Sequence, residues 1–151
     1  MPLDQTMVFE GVYHKNLQLD LSDKTAMWEL QGSIFVWMFI NGQLVGESYG
    51  VPAERDEPLE GLNLTEAEKK NAIYCYSNTI LPPFQNQNLG SILKAHWLGC
   101  AAAKAFTTVY GHARPGGSQA LNAKFGAVFI GDHSDWFGTG ETYKLYRLQL
   151  S

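Results

Sequence analysis

The chain is poor in the features that commit a sequence to a disulfide framework, a membrane or a nucleic acid. It has two cysteines, Cys75 and Cys100, in 151 residues. They could pair, but in a chain without an export signal two such residues are expected as buried free thiols. Long apolar runs are missing too. The longest, Ile34-Phe35-Val36-Trp37-Met38-Phe39-Ile40, has the length of a strand, well short of the roughly 20 residues that cross a bilayer. Met1-Pro2-Leu3-Asp4-Gln5 contains no basic stretch leading into an apolar one, so a cytoplasmic location is expected. Positive charge is scarce as well. Eleven Lys and Arg against 15 Asp and Glu leave a net charge of -4, and no basic cluster could track nucleic-acid phosphates. Neither nucleic acid nor membrane is an expected partner.

What is present suits a single domain spanning residues 1–151, with 45% apolar and 17% charged residues. Val8–Tyr13 and Leu17–Leu21 read as short extended pieces, the second alternating apolar and polar. Ser22–Leu30 is ambiguous, with Ser22 a possible helix cap. Asn41-Gly42 between two apolar runs predicts a hairpin of Ile34–Ile40 with Leu44–Val51. Pro52–Asn71 is polar and carries Glu54, Asp56, Glu57, Glu60, Glu66 and Glu68, expected as a solvated face or as a rim attracting a basic substrate. Within it Thr65-Glu66-Ala67-Glu68 has the spacing of a capping box. Ala72–Leu81 predicts a strand that Pro82-Pro83 ends. Leu89–Ala105 predicts a helix with Leu89, Ile92, Leu93, His96, Trp97 and Cys100 on one side. Strands are expected over Thr107–His112, Val128–Ile130 and Thr142–Leu150, and a short helix over Gly116–Lys124. This order implies a mixed α/β (α+β) domain with a mostly antiparallel sheet, in which the unit around Leu89–Ala105 joins parallel strands.

The chemistry-bearing stretch runs from Asn78 to Leu93. It reads as a strand, a proline break, the amide-rich turn Gln85-Asn86-Gln87-Asn88-Leu89-Gly90-Ser91, and a helix. The first N–H groups of a helix lack internal partners, and the helix dipole makes that end positive. A turn feeding such an end can cradle a phosphate. Gly90 permits close backbone approach, and Asn88 tolerates positive φ. On physics alone a plain strand-to-helix connection, capped by Asn86 or Asn88, fits equally well.

The stretch resembles motif A of the GNAT acyltransferases, Gln/Arg-x-x-Gly-x-Gly/Ala preceded by a proline. Gln85, Gly90 and Pro82 match, and Asn88 stands at the first glycine. Downstream, Pro115–Gly126 resembles motif B, with Ser118, Leu121, Lys124 and Gly126 matching. Pro115 stands where the family has Asn, and Asn122 where it often has a catalytic Tyr. The resemblance implies a GNAT-like fold with a splayed strand pair, and transfer of an acetyl group from acetyl-CoA to a primary amine of a small molecule or peptide. It also implies that Ile80 and Leu81 at the strand end meet the pantetheine arm. Backbone amides from Gln85, Asn86, Gln87, Asn88, Leu89, Gly90 and Ser91 would take the pyrophosphate, and the amide of Asn122 could reach the sulfur.

Acyl transfer needs a neutral amine, a donor for the tetrahedral oxyanion and often an acid for the leaving thiolate. His112, just before motif B and closest to neutral titration, is the first candidate base. Tyr76, Tyr110 and Glu47 are the others. Each has a plain structural alternative: a strand-end histidine, a core or pocket-wall tyrosine, a solvent-facing hairpin charge. His14, His96 and His133 show no ligand spacing with the cysteines, so no metal is expected. The part before Ser33 departs from the family's two-helix opening, which leaves the acceptor unread. A CoA-binding module without catalysis, or a transferase for a longer acyl group, are the rival readings.

Overall fold

A computed structural model describes residues 2–55 and 64–150. Asp56, Glu57 and Glu60 of the acidic stretch lie outside the described residues. Glu54, Glu66 and Glu68 are exposed, as expected of a solvated face.

Among the described residues, six strands form one sheet in the order β1-β2-β3-β4-β6-β5. They are β1 (Ile34–Ile40), β2 (Gln43–Pro52), β3 (Ala72–Ile80), β4 (Thr108–Ala113), β5 (Val128–His133) and β6 (Tyr143–Gln149). The β1–β2 hairpin turns at Asn41 and Gly42, with φ of 50° and 79°, the positive pair such a turn demands. Every pairing is antiparallel except that of β3 with β4. Between those two runs α3 (Leu89–Ala103), the crossover a parallel connection requires. The other α-helices among the described residues are α1 (Leu21–Glu29), α2 (Glu66–Lys69) and α4 (Gly117–Lys124). Thr65 and Glu68 form the expected capping box of α2.

The β3–β4 ladder is short. It runs only from Ala72 opposite Thr108 to Cys75 opposite Gly111. Beyond Cys75, β3 stays with β2 as far as Gly46 opposite Ile80, while β4 stays with β6. The two strands therefore splay, with a vertex at Cys75 and Gly111. A register shift opposite Tyr49 and Gly50 leaves Tyr76 as the extra residue of β3, a bulge just past that vertex.

α3 covers one face of the sheet with Leu93, Lys94, Trp97, Leu98 and Ala101. Trp97 is fully buried and its indole N–H donates to the Ile34 carbonyl, 3.2 Å. The buried stripe is thus rotated from expectation: Ile92 and His96 face outward, and Leu89 and Cys100 are half-buried. The helix also stops at Ala103, two residues early. Ala105 takes φ of 68°, and the N–H groups of Ala105 and Phe106 return to the Ala102 and Ala101 carbonyls, closing the end as a Schellman motif. Cys75 is buried and Cys100 half-buried, and both thiols are free.

The largest correction is N-terminal. Val8–Val12 belongs to a 3-10 helix, Leu3–Val12, and is not an extended piece. A second 3-10 turn spans Lys15–Leu17, Gln18 and Asp20 are extended but in no strand, and α1 follows, capped by Asp20 rather than Ser22. Helical segments therefore do open the chain. The packing of Leu3–Val12 explains why an extended reading fails there. Thr6, Phe9 and Glu10 turn inward at near three-residue spacing, and Lys24 of α1 joins them at the opposite face from α3. Lys24 Nζ reaches Glu47 at 2.7 Å, Glu10 at 3.3 Å and the Thr6 carbonyl at 3.1 Å. Trp37 donates to Glu47 at 2.7 Å, and Tyr49 to Glu10 at 3.3 Å. The polar partners that hold this segment come from β1 and β2, remote in sequence.

Candidate active site

A cleft of about 910 Å³ follows the gap between β3 and β4. Of the anticipated coenzyme residues, Ile80, Gln85, Asn86, Asn88, Leu89, Gly90, Ser91 and Asn122 line it, whereas Leu81 and Gln87 do not. Of the anticipated catalytic residues, His112 and Tyr76 line it and Glu47 does not.

At the open end lies the amide-rich turn. Asn86 and Asn88 take φ of 64° and 62°, so Asn88 adopts the left-handed conformation for which motif A uses glycine. Asn88 is the N-cap of α3, yet its side chain makes no capping hydrogen bond. The first N–H groups of the helix are thus not satisfied by that side chain and point toward the mouth of the gap. A Cβ built on Gly90 would lie 3.9 Å from Asn78 Nδ2 and 4.0 Å from Ile80 Cγ1. The fold itself has room for it, and its absence keeps the helix end open. Gln85 spans the turn by donating to the Ile80 carbonyl, 2.9 Å. Lys124 at the end of α4 reaches Ser91 Oγ at 3.2 Å and adds a positive charge beside the helix start. This donor set, helix N–H groups plus one lysine, suits a pyrophosphate.

Along the gap, the Leu81 N–H donates to the Val45 carbonyl. In an antiparallel ladder alternate residues aim both backbone groups at the partner. Asn78 and Ile80 therefore direct theirs away from β2, into the gap. Asn78 Nδ2 donates to the Gly90 carbonyl, 3.2 Å, and its Oδ1 is buried without a partner. Asn122, 5% exposed, donates Nδ2 to the Ser118 carbonyl at 2.8 Å and leaves Oδ1 buried and unpartnered. The amide of Asn122 thus offers the cleft an unpartnered acceptor, while one of its two N–H donors is committed to Ser118.

His112 sits on the face opposite α3. Tyr74 hydroxyl meets its Nδ1, its ring stacks on Trp136 at 4.0 Å, and His133 stands edge-on at 4.8 Å. Its Nε2 is buried without a partner. Burial first, and then the nearby His133, push its pKa down to about 3. The imidazole is neutral across the physiological range, so the near-neutral titration anticipated for it is corrected. Tyr76 stacks on Tyr49 and meets Tyr74 edge-on. Tyr110 is buried against Ala53, Ala72 and Tyr74, outside the cleft. Glu47 is fully buried and not solvent-facing. Desolvation raises its pKa, while Lys24 and Trp37 hold it down. Its bonds to Lys24 and Trp37 make it a structural carboxylate.

Sequence reasoning missed several lining residues. Tyr13 arrives from the N-terminal segment with its hydroxyl on Ser77 Oγ, 2.7 Å, and on Thr79 Oγ1. Burial raises its pKa. Tyr74, Trp136 and Phe137 complete an aromatic wall. No local signal marks them, because three separate chain segments contribute. Lys94 could have been found: it lies one turn past Gly90 and one before Trp97, both facing the sheet. Among the described residues no group of three His, Cys, Asp or Glu could hold a metal ion, and no helix is long and apolar enough to cross a membrane.

No family model and no curated protein matches the chain. Solved structures do. Ribosomal-protein-alanine N-acetyltransferase from Brucella melitensis matches over 99% of this chain and 97% of its own, with a TM-score of 0.73 and 15% identity. The chain has the GNAT fold. An acetyltransferase of the GNAT family from Streptococcus pneumoniae matches over 84% of this chain and 72% of its own, with a TM-score of 0.64 and 16% identity. Aminoglycoside 6'-N-acetyltransferase, solved with coenzyme A, matches over 97% and 89%, with a TM-score of 0.72 and 11% identity. In the GNAT fold of this chain, the splayed pair anticipated from motif A is β3 and β4.

Proposed function

We propose that the protein is an N-acetyltransferase that moves an acetyl group from acetyl-CoA to a primary amine of a small molecule or peptide. One observation carries the reading. Among the described residues, the buried side-chain polar atoms without partners are Asn78 Oδ1, His112 Nε2 and Asn122 Oδ1, and all three belong to residues lining one cleft. Each such atom costs about 1–3 kcal/mol if left unpaired. Their convergence is best explained by a polar ligand that threads the gap. The open helix start with Lys124 at one end of the cleft suits a phosphorylated one.

Acetyl-CoA, when bound, supplies the thioester. The chain's own contribution is to hold it and to receive an amine. Backbone N–H groups of the turn and Lys124 bind phosphate. Asn78 and Asn122 offer amide oxygens to N–H donors along the arm, and His112 offers Nε2 from the opposite face. With its pKa near 3, His112 is a poor base for an ammonium. The amine therefore enters neutral, and His112 orients it through a hydrogen bond. Tyr13, Tyr49, Tyr76 and Trp136 give the acceptor side an aromatic wall.

The depressed His112 and the Asn at the family's Tyr position favour a second reading, a coenzyme-binding module without catalysis. Thermal melts separate these readings. CoA and acetyl-CoA should raise the melting temperature by mass action, while adenosine alone should not. No shift at millimolar acetyl-CoA overturns both. A shift without turnover across a broad amine panel selects the binding module.

A further inference from the structure

Lys94 breaks the pattern of its helix. It lies among Leu93, Trp97, Leu98 and Ala101 on the buried face of α3 and is 1% exposed. Its Nζ bonds Tyr146 hydroxyl at 3.1 Å and Cys75 Sγ at 3.6 Å. It stands 5.5 Å from the Trp97 ring and 5.3 Å from the Tyr146 ring. Among the described residues the ion pairs are Lys24 with Glu10 and Glu47, and Arg114 with Glu141. Lys24, equally buried, has two carboxylates; Lys94 has none. A buried ammonium without an anion is a standing cost that an apolar residue of similar size would remove.

Its position suggests what offsets that cost. Cys75 is the last β3 residue paired with β4, opposite Gly111, and Tyr146 lies opposite Gly111 on β6. The Tyr146 hydroxyl occupies the space that a Cβ on Gly111 would need. Lys94, Tyr146 and Cys75 therefore converge at the vertex of the splay, and all three line the cleft. From Ile80 at the mouth to Cys75 is five residues, about 16 Å of strand. The cleft thus has an anion cradle at its open end and an unpaired cation at its closed end. Resting on the acyl-CoA reading above, we propose that Lys94 Nζ, held by Tyr146 and Cys75, is the cation that receives the thiolate sulfur of the coenzyme.

As the amine nitrogen bonds the acyl carbon, the carbon–sulfur bond breaks, its electron pair stays on sulfur and the nitrogen's proton leaves to water. Lys94 keeps its protons and supplies charge and a hydrogen bond. Asn122 is neutral and commits one of its two amide N–H donors to the Ser118 carbonyl, so it supplies no charge to a thiolate. The titratable groups facing Lys94 are Cys75 from β3 and Tyr146 from β6.

The test compares calorimetric affinities of CoA and desulfo-CoA for the full chain between pH 6.5 and 9. An alkyl thiol such as cysteine's titrates near 8.5, so the wild type should prefer CoA, and more strongly as pH rises. Lys94→Met should bind both ligands, lose roughly tenfold or more of the preference for CoA, the scale of a hydrogen bond to a charged group, and melt no lower than wild type. Cys75→Ala should keep the pH dependence. If Lys94→Met does not fold, the wild-type pH series and Tyr146→Phe, which should weaken the preference, decide. A wild-type preference that is absent or flat with pH overturns the proposal. So does an unchanged preference in Lys94→Met, or a pH dependence abolished in Cys75→Ala. If neither ligand binds the wild type, the acyl-CoA reading itself fails.

Discussion

The two walls of the cleft are built by different means. The wall carrying α3 and α4 is made mainly of backbone: a left-handed turn, an uncapped helix start and a strand edge turned away from its partner. The opposite wall is made of side chains, with Tyr13, Tyr49, Tyr74, Tyr76, His112 and Trp136 brought from separate segments. The first wall needs a short contiguous string of residues that permit one backbone path. The second needs a tertiary arrangement that no window of sequence contains. A motif therefore announces the backbone wall of such a cleft and is silent on the side-chain wall.

The sharpest way to break that contrast is to unfasten the side-chain wall. Lys24→Met would leave Glu10 and Glu47 buried without their cation, and about 3–5 kcal/mol of stability should be lost. Urea unfolding measures it, and a change below about 1 kcal/mol would mean that the N-terminal segment is held by apolar contacts alone. Next in size, Gly90→Val should abolish the CoA-induced rise in melting temperature while the ligand-free melt stays within a few degrees. A Cβ at Gly90 meets only ordinary contacts in the fold, so retained CoA binding would remove the turn from the coenzyme site.

The third prediction concerns His112. Its folded pKa lies near 3, below the unfolded value of about 6.5, so the unfolded chain binds the extra proton first. Its contribution to stability is fully present above pH 6.5 and is lost as pH falls from there toward 3. Denaturation measured across that window should show a slope that His112→Gln reduces. In turnover, no acid limb near pH 6.5 should belong to His112, and finding one that disappears in His112→Gln would restore it as a general base. The smallest effect is expected at Asn88. Left-handed backbone costs a residue with an ordinary side chain about 1–2 kcal/mol, so Asn88→Ala should lose about 1 kcal/mol and Asn88→Gly only a few tenths. Equal losses would mean that the Asn side chain, rather than its tolerance of positive φ, is what the turn requires.

Much of the architecture was legible because it is local. Asn41-Gly42 dictates a hairpin, Thr65 and Glu68 a capped helix, Pro82-Pro83 a strand end, and the stretch from Leu89 a helix whose connection makes β3 and β4 parallel. The motif order carried the splay. What failed did so for a common reason. Val8–Tyr13 reads as extended, whereas Leu3–Val12 is a 3-10 helix whose Glu10 shares the buried Lys24 with Glu47 of β2. Glu47 reads as a candidate base or a surface charge because its partner, Lys24, is 23 residues away. His112 was read with a solvent-like titration because the rings of Trp136, His133 and Tyr74 that desolvate it come from other elements.

By itself, then, the sequence determined the backbone path from Ala72 to Gly126 and with it the left-handed turn at the start of α3, since φ preferences, helix ends and proline breaks act within a few residues. Only the tertiary structure decided which groups lose their water. Burial placed Glu47 beside Lys24, held His112 neutral and left Lys94 without an anion at the vertex of the cleft. Desolvation depends on what packs from every side, and that is a property of the assembled sheet and its two covered faces.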